Sequence, residues 1–258
     1  MRYEFGKNWK NFLKNSDVKN LLKARNSLKP IINKKKTSNF IDLGCGSGVF
    51  SLGALIFYKK VVSIDIDEYS IKATQTLKQK SNLNSKNWQI KKGSILDKKF
   101  LKSFGKFDMV YCWGVAHHTG DMWKALDNIV ILTEVKSRLF IAIYNDQGLK
   151  SKFWWLVKFI YNILPKFMHK FYLKIFEFLY YLNYTLKNIN NLDYKKFREQ
   201  RRGMNFYENL SDWIGGYPFE YASIEELKKF FLKRNFKVLK LKKSHGSGCH
   251  EILFEKIK

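Results

Sequence analysis

Cysteine and proline are scarce, at three residues each in 258. Cys45, Cys112 and Cys249 are odd in number, far apart and without a C-x-x-C pair. They offer neither a disulfide framework nor a structural zinc site, no metal is expected, and a reducing, cytoplasmic compartment is the expectation. So little proline excludes a collagen-like or proline-rich chain, and 45% hydrophobic with 17% aromatic residues excludes disorder as a description of the whole. No run of about 18 uncharged apolar residues occurs, and the opening Met-Arg-Tyr-Glu-Phe-Gly-Lys lacks the apolar core of a signal peptide. Contact with a membrane, if any, is expected to be peripheral.

Acidic residues are also few, 22 against 48 basic ones, giving a formal charge of +26. Arginine is sparse too, standing only at positions 2, 25, 138, 198, 201, 202 and 234, so lysine carries the charge. Two readings stay open: an anionic partner such as nucleic acid or a membrane surface, or a lysine- and asparagine-rich coding bias with no partner at all.

What is present is alternation. Short β-rich runs at Asn39–Leu43, Val61–Ile64, Trp88–Lys92, Phe107–Cys112 and Arg138–Tyr144 are separated by helical patterns, which predicts βαβ units and a parallel sheet covered on both faces. Phe236–Leu241 and Glu251–Glu255 supply two more strands, joined by the turn Ser244-His-Gly-Ser-Gly248. Before them Ser223-Ile-Glu-Glu226 has the form of a capping box. The stretch from Gly148 to Tyr221 is too long for a connection and reads as an inserted helical lid, with helices at Lys152–Leu164 and Lys166–Leu182 broken at Pro165. Lys166, Lys170 and Lys174 border an apolar face made of Phe167, Phe171, Ile175, Phe178 and Leu179. That face is expected to cover the open edge of the sheet, with a membrane interface as the alternative. The expected division is an N-terminal helical cap at 1–37 containing Tyr3, Phe5, Trp9 and Phe12, a cofactor-binding half at 38–147, the lid at 148–221, and a C-terminal helix and hairpin at 222–258.

Ile41-Asp42-Leu43-Gly44-Cys45-Gly46-Ser47-Gly48 places G-x-G-x-G between a strand and a helix, where glycine permits a tight turn and helix N-terminal amides face a ligand. The spacing departs from the dinucleotide fingerprint G-x-G-x-x-G, and no Lys-Ser/Thr follows to make a P-loop, so a nucleoside without phosphates fits better. The next strand ends at Asp65, placed to accept both ribose hydroxyls.

These residues resemble the motifs of class I S-adenosylmethionine-dependent methyltransferases, over positions 39 to 144. The resemblance implies S-adenosyl-L-methionine as cofactor and S-adenosyl-L-homocysteine as product. It implies that Gly44, Cys45, Gly46 and Gly48 pass under the methionine part and that Asp42 supports the loop. Asp65 and Ile66 would hold the ribose end, Ser94 and Ile95 would occupy the adenine place after the third strand, and Trp113 is a further candidate cofactor contact. Ser94 departs from the acidic residue common there. Phe107-Asp-Met-Val-Tyr-Cys-Trp-Gly-Val-Ala-His-His-Thr119 resembles the segment of small-molecule methyltransferases of ubiquinone and menaquinone biosynthesis, and is unlike the Asp/Asn-Pro-Pro-Tyr/Phe signature of nucleobase amine methylation.

The expected fold is therefore α/β, a Rossmann-like, seven-stranded, mostly parallel sheet with an antiparallel last strand and the lid. The expected function is methyl transfer to an oxygen or nitrogen of a small, lipophilic or membrane-associated acceptor. His117 and His118 follow the fourth strand at the carboxyl edge and are the candidate bases, with a tight-turn structural role as the alternative for each. Tyr144, Asn145, Trp213, Tyr217 and His245 are the candidate acceptor contacts, Trp213 and Tyr217 within Trp213-Ile-Gly-Gly-Tyr-Pro-Phe-Glu220, which reads as a turn-rich return from the lid into the core. His245, Cys249 and His250 lack a recognised metal-ligand spacing. Two rivals are an RNA methyltransferase using the basic segment Lys195-Lys-Phe-Arg-Glu-Gln-Arg-Arg202, and a membrane-surface protein that binds the cofactor without catalysis.

Overall fold

A computed structural model describes residues 3, 24–33, 37–81, 85–188, 206–246 and 248–258. The expected cap residues Phe5, Trp9 and Phe12 and the basic segment 195–202 lie outside them.

The first five strands are β1 (Asn39–Leu43), β2 (Lys60–Asp65), β3 (Trp88–Lys92), β4 (Met109–Trp113) and β5 (Arg138–Tyr144). They read as apolar runs because helices cover both faces, so the interior of β1 and β4 is buried without alternation. Between them lie α1 (Val49–Ala54), α2 (Glu68–Lys80), α3 (Lys98–Lys102) and α4 (Met122–Val130). A side-chain carboxylate starts three of these helices: Asp67 accepts from Ser70 N at 2.9 Å, Asp97 from Phe100 N at 3.0 Å and Asp121 from Lys124 N at 3.3 Å.

After β5 come α5 (Leu149–Ile163), α6 (Lys166–Lys187) and α7 (Phe206–Gly215), then α8 (Ile224–Leu232), β6 (Phe236–Lys242) and β7 (Cys249–Lys256). Ser223 and Glu226 form the capping box of α8, as the sequence predicts. The strands lie in the order β3-β2-β1-β4-β5-β7-β6, with β7 antiparallel to both neighbours. The sheet expected from the sequence is thus the sheet observed, each strand end falling within two residues of its expected place.

One apolar layer on the sheet joins Ile41, Val110, Leu126, Phe231 and Phe254, and the other joins Phe40, Tyr58, Trp88 and Tyr111. The helices after β5 build a third cluster of their own, in which Val157 and Tyr161 of α5 meet Leu173 and Phe176 of α6 and Leu210 and Ile214 of α7.

Two expectations are corrected here. The Phe167, Phe171, Ile175, Phe178 and Leu179 face of α6 does not cover the sheet; all five are exposed, while Leu173 and Phe176 on the other side are buried. The helix is apolar on both sides, and packing chose the second. Trp213-Ile-Gly215 is not a turn but the end of α7, because Leu210 and Ile214, four residues apart, share one face buried in the third cluster.

Candidate functional site at the carboxyl edge of the sheet

Strand order reverses between β1 and β4, each returning to the opposite side, and such a switch point opens a crevice beyond the strand ends. The loops after β1 and β4 touch there. Gly44 has φ +76°, and a Cβ on it would stand 2.3 Å from Val115 Cγ2, so neither conformation nor space admits a side chain. Gly48, φ +77°, is closed in the same way by Thr74 of α2 at 2.6 Å. Thr74 Oγ1 also donates to the Gly46 carbonyl at 3.0 Å.

The loop amides are committed within the protein. Gly44 N and Cys45 N donate to Ile64 O at 2.7 and 3.0 Å, Gly48 N to Cys45 O at 2.8 Å, and Gly46 N to Asp65 Oδ2 at 3.0 Å. Those four amides serve the loop's own fold, and what Gly44 and Gly48 leave beside them is close backbone approach. Asp65, at the end of β2, is 8% exposed and accepts Asp67 N on its other oxygen at 2.8 Å, which fixes the carboxylate plane. Ile66 beside it is exposed.

Asp42 faces away from solvent at the end of a buried relay. Trp88 Nε1 donates to Ser63 Oγ at 2.7 Å, Ser63 Oγ to Ser51 Oγ at 2.6 Å, and Ser51 Oγ to Asp42 Oδ2 at 2.5 Å. The relay pins α1 to β1, β2 and β3. Burial pushes the Asp42 carboxyl up to about 7, opposed by the Ser51 hydrogen bond and reinforced by the charge of Asp65. Cys45 is buried, its thiol pushed up by that burial, with Sγ 3.5 Å from Thr74 Oγ1.

After β3, Ser94 Oγ accepts Leu96 N at 3.1 Å, and Ile95 is buried with its carbonyl held by Asn128. Trp113 reaches the other way: its Nε1 donates to Glu251 on β7 at 3.3 Å, across β5 and away from β2.

Beyond β4, Ala116–His118 forms a single 3-10 turn that buries both histidines. Their surroundings differ. His117 is 1% exposed, and its Nδ1 accepts the Tyr144 backbone N–H at 3.3 Å. Burial pulls its pKa well below the usual imidazole range, with the charges of His118 and Lys158 adding to it. The His118 Nδ1 lies 2.6 Å from the Pro218 carbonyl, which can only accept, so Nδ1 carries a proton and the neutral ring has its lone pair on Nε2.

Tyr144 gathers the rings: centroids lie 4.0 Å away at His117, 5.4 Å at His118, 5.7 Å at Trp213 and 4.9 Å at Phe219. Asn145 ties this edge to the β6–β7 turn through Nδ2 to Ser244 O at 3.1 Å. Tyr217 packs on Phe159 at 5.9 Å and accepts the Tyr3 amide, His245 is exposed on the turn, and His250 is buried, taking the Ser244 amide on Nδ1.

Two residues of this cluster escape sequence reading. Lys158 of α5 is fully buried, its Nζ donating to Trp213 O and lying 4.1 Å from the Trp213 ring and 4.9 Å from that of Phe219. Burial brings its pKa down to about 7, the charge of Asp212 opposing. The one signal was a lysine between Trp154 and Tyr161 on an otherwise apolar helix face. Glu220 accepts Gly120 N and Met122 N, both at 2.9 Å, and its own amide donates to His117 O at 2.9 Å, so it fastens the histidine turn to the start of α4.

The chain is similar to known proteins in sequence and in fold. The chain is 25% identical over 138 residues to a ubiquinone biosynthesis O-methyltransferase of Coxiella burnetii, spanning 53% of this chain and about half the length of that relative, 56%. In fold it is similar to PKMT2 from Rickettsia typhi, with a TM-score of 0.62 at 14% identity over 92% of this chain and 52% of the other. It is likewise similar to magnesium protoporphyrin IX methyltransferase from Synechocystis PCC 6803, solved with bound SAH, with a TM-score of 0.56 at 14% identity over 97% and 93% of the two chains. The family model described as a methyltransferase domain matches residues 34–167, just over half of the sequence, and the chain therefore belongs to the methyltransferase-domain family.

Proposed function

We propose that this protein is an S-adenosylmethionine-dependent methyltransferase acting on a hydroxyl of a small, aromatic or lipophilic acceptor. The observation that carries the reading is the pairing, across one switch point, of a glycine loop and a fixed carboxylate with a tautomer-fixed histidine inside an aromatic wall. The donor set suits the cofactor: a carboxylate with a fixed plane at the end of β2, a glycine loop without a cation in it, and apolar Ile66 and Ile95 nearby. Asp65 would hold the ribose hydroxyls, Gly44 to Gly48 would border the amino-acid part, and Ser94 and Ile95 would border adenine. When bound, this group supplies an electrophilic methyl that needs no further activation.

What remains for the protein is to align the acceptor, exclude water and take up its proton. Tyr144, Trp213 and Phe219 supply a dry wall for a flat ring, and Lys158 fastens that wall by bonding α5 to α7. Nε2 of His118 is proposed as the base, its orientation set by Nδ1–H on Pro218 O. His117 is proposed as a positioning residue, since its Nδ1 is committed to the Tyr144 amide. The 25% identity with an O-methyltransferase of ubiquinone biosynthesis supports oxygen over nitrogen as the acceptor atom.

The test is transfer of a labelled methyl from S-adenosylmethionine to a panel of hydroxylated aromatic compounds. His118→Gln is expected to bind the cofactor normally by calorimetry and to lose roughly 10²-fold or more in turnover at neutral pH. Asp65→Asn is expected to lose cofactor affinity itself. Labelling of no small hydroxyl compound, or unchanged turnover in His118→Gln, would overturn the acceptor reading.

A further inference from the structure

The outer side of α6 is an amphipathic face that the described residues leave uncovered. Phe167, Phe171, Ile175, Phe178, Leu182 and Leu186 recur at the helical period, and Phe167 is 82% exposed, Phe171 66% and Phe178 63%. Each of these side chains gains when it leaves water, so an exposed row of six is a strong demand for an apolar contact. The core of the helical insertion does not meet it, because α6 turns Leu173 and Phe176 to that core instead.

Charge selects the occupant. Lys166, Lys170 and Lys174 are exposed and follow one border of the apolar row. The single acidic residue of α6, Glu177, is bonded to Tyr207 of α7, and α5 has no acidic residue. A second copy of this chain would bring the same lysines to the same face with no carboxylate to meet them, on molecules of formal charge +26. A nucleic acid would pair the lysines and leave the phenylalanines in water. A surface of acyl chains under anionic headgroups satisfies both. At 22 residues α6 is about 33 Å long, yet no helix among the described residues is long and apolar enough to cross a membrane. Such a helix lies in the plane of the interface.

We propose that the Phe167–Leu186 face of α6, with Lys166, Lys170 and Lys174 along its border, docks this protein onto an anionic lipid bilayer. The docking goes beyond methyl transfer and does not depend on it. In sedimentation with large unilamellar vesicles at moderate salt, the full chain is expected to pellet with phosphatidylcholine containing about a third phosphatidylglycerol, and far less with phosphatidylcholine alone. The Phe167→Ser, Phe171→Ser, Phe178→Ser variant is expected to lose at least about ten-fold in partitioning with its melting temperature unchanged. Replacing the three lysines by glutamine is expected to cost roughly five-fold per residue on anionic vesicles. An environment-sensitive dye at Phe171→Cys is expected to shift to the blue on the same vesicles. Equal pelleting of the serine variant and the parent would mean that scattered lysines bind headgroups without this face, and would overturn the proposal. So would concentration-dependent dimerisation abolished by the serine variant, or a dye that does not shift.

Discussion

At the scale of single residues, the site is made by close approach and by burial of titratable groups. Gly44→Ala must force a left-handed backbone on alanine and push into Val115 at once, for an expected cost of about 2–4 kcal/mol. Because the second part is steric, Val115→Ala is expected to rescue about 1 kcal/mol in a double-mutant cycle measured by chemical denaturation; strict additivity would show that the two loops do not press on each other. Lys158 makes a pH prediction. Its pKa is about 7 when folded against an ordinary 10.5, so between those values the unfolded chain binds a proton that the folded protein refuses. Stability contributed by this group is present above pH 10.5 and lost as pH falls toward 7. Lys158→Met should therefore gain on the parent as pH falls through that window, by an amount on the order of 2–4 kcal/mol, followed by denaturation at several pH values. A constant difference between the two proteins across the window would mean that Lys158 titrates normally.

At the scale of elements, the start of α8 was written plainly in the sequence and helix faces were not. The Ser223–Glu226 capping box closes as the spacing S-x-x-E requires, with Glu226 Oε2 accepting from Ser223 N at 2.9 Å and Ser223 Oγ accepting the Glu226 amide at 3.2 Å. Ser223→Ala is expected to cost about 1 kcal/mol, seen as a drop of a few degrees in a thermal melt, with Ser223→Asp largely restoring it. By contrast, α6 offers apolar residues on both sides, and periodicity finds the phenylalanine row without saying that Leu173 and Phe176 are the side that packs. The same gap hid α7, whose last residue Gly215 reads as part of a turn until Leu210 and Ile214 find partners on α5 and α6.

At the scale of the whole molecule, the three larger apolar clusters among the described residues divide the work: two hold the sheet between its helices, and the third holds the helices after β5 to one another. Phe231, fully buried between Phe236 and Phe254, should cost about 3–5 kcal/mol when cut to alanine. Phe171→Ser on the uncovered face should stay within about 0.5 kcal/mol of the parent, by the same denaturation experiment. A large loss in the second variant would show that this face is packed after all.

The strand boundaries, the sheet and the glycine loop with Asp65 were legible because each depends on contacts a few residues apart: alternation of apolar runs, positive φ at glycine, a carboxylate ending a strand. The difference between His117 and His118 was not, since neighbours in sequence turn to partners far away, Tyr144 on β5 for one and Pro218, a hundred residues on, for the other. Lys158 reads as an ordinary surface lysine until Trp213 and Phe219 close over it. Local patterning determined the sheet and where the glycine loop and Asp65 lie; only the tertiary structure decided which histidine keeps its lone pair on Nε2, which lysine is buried, and which face of α6 is left to water, because each of these rests on side chains brought together from distant parts of the chain.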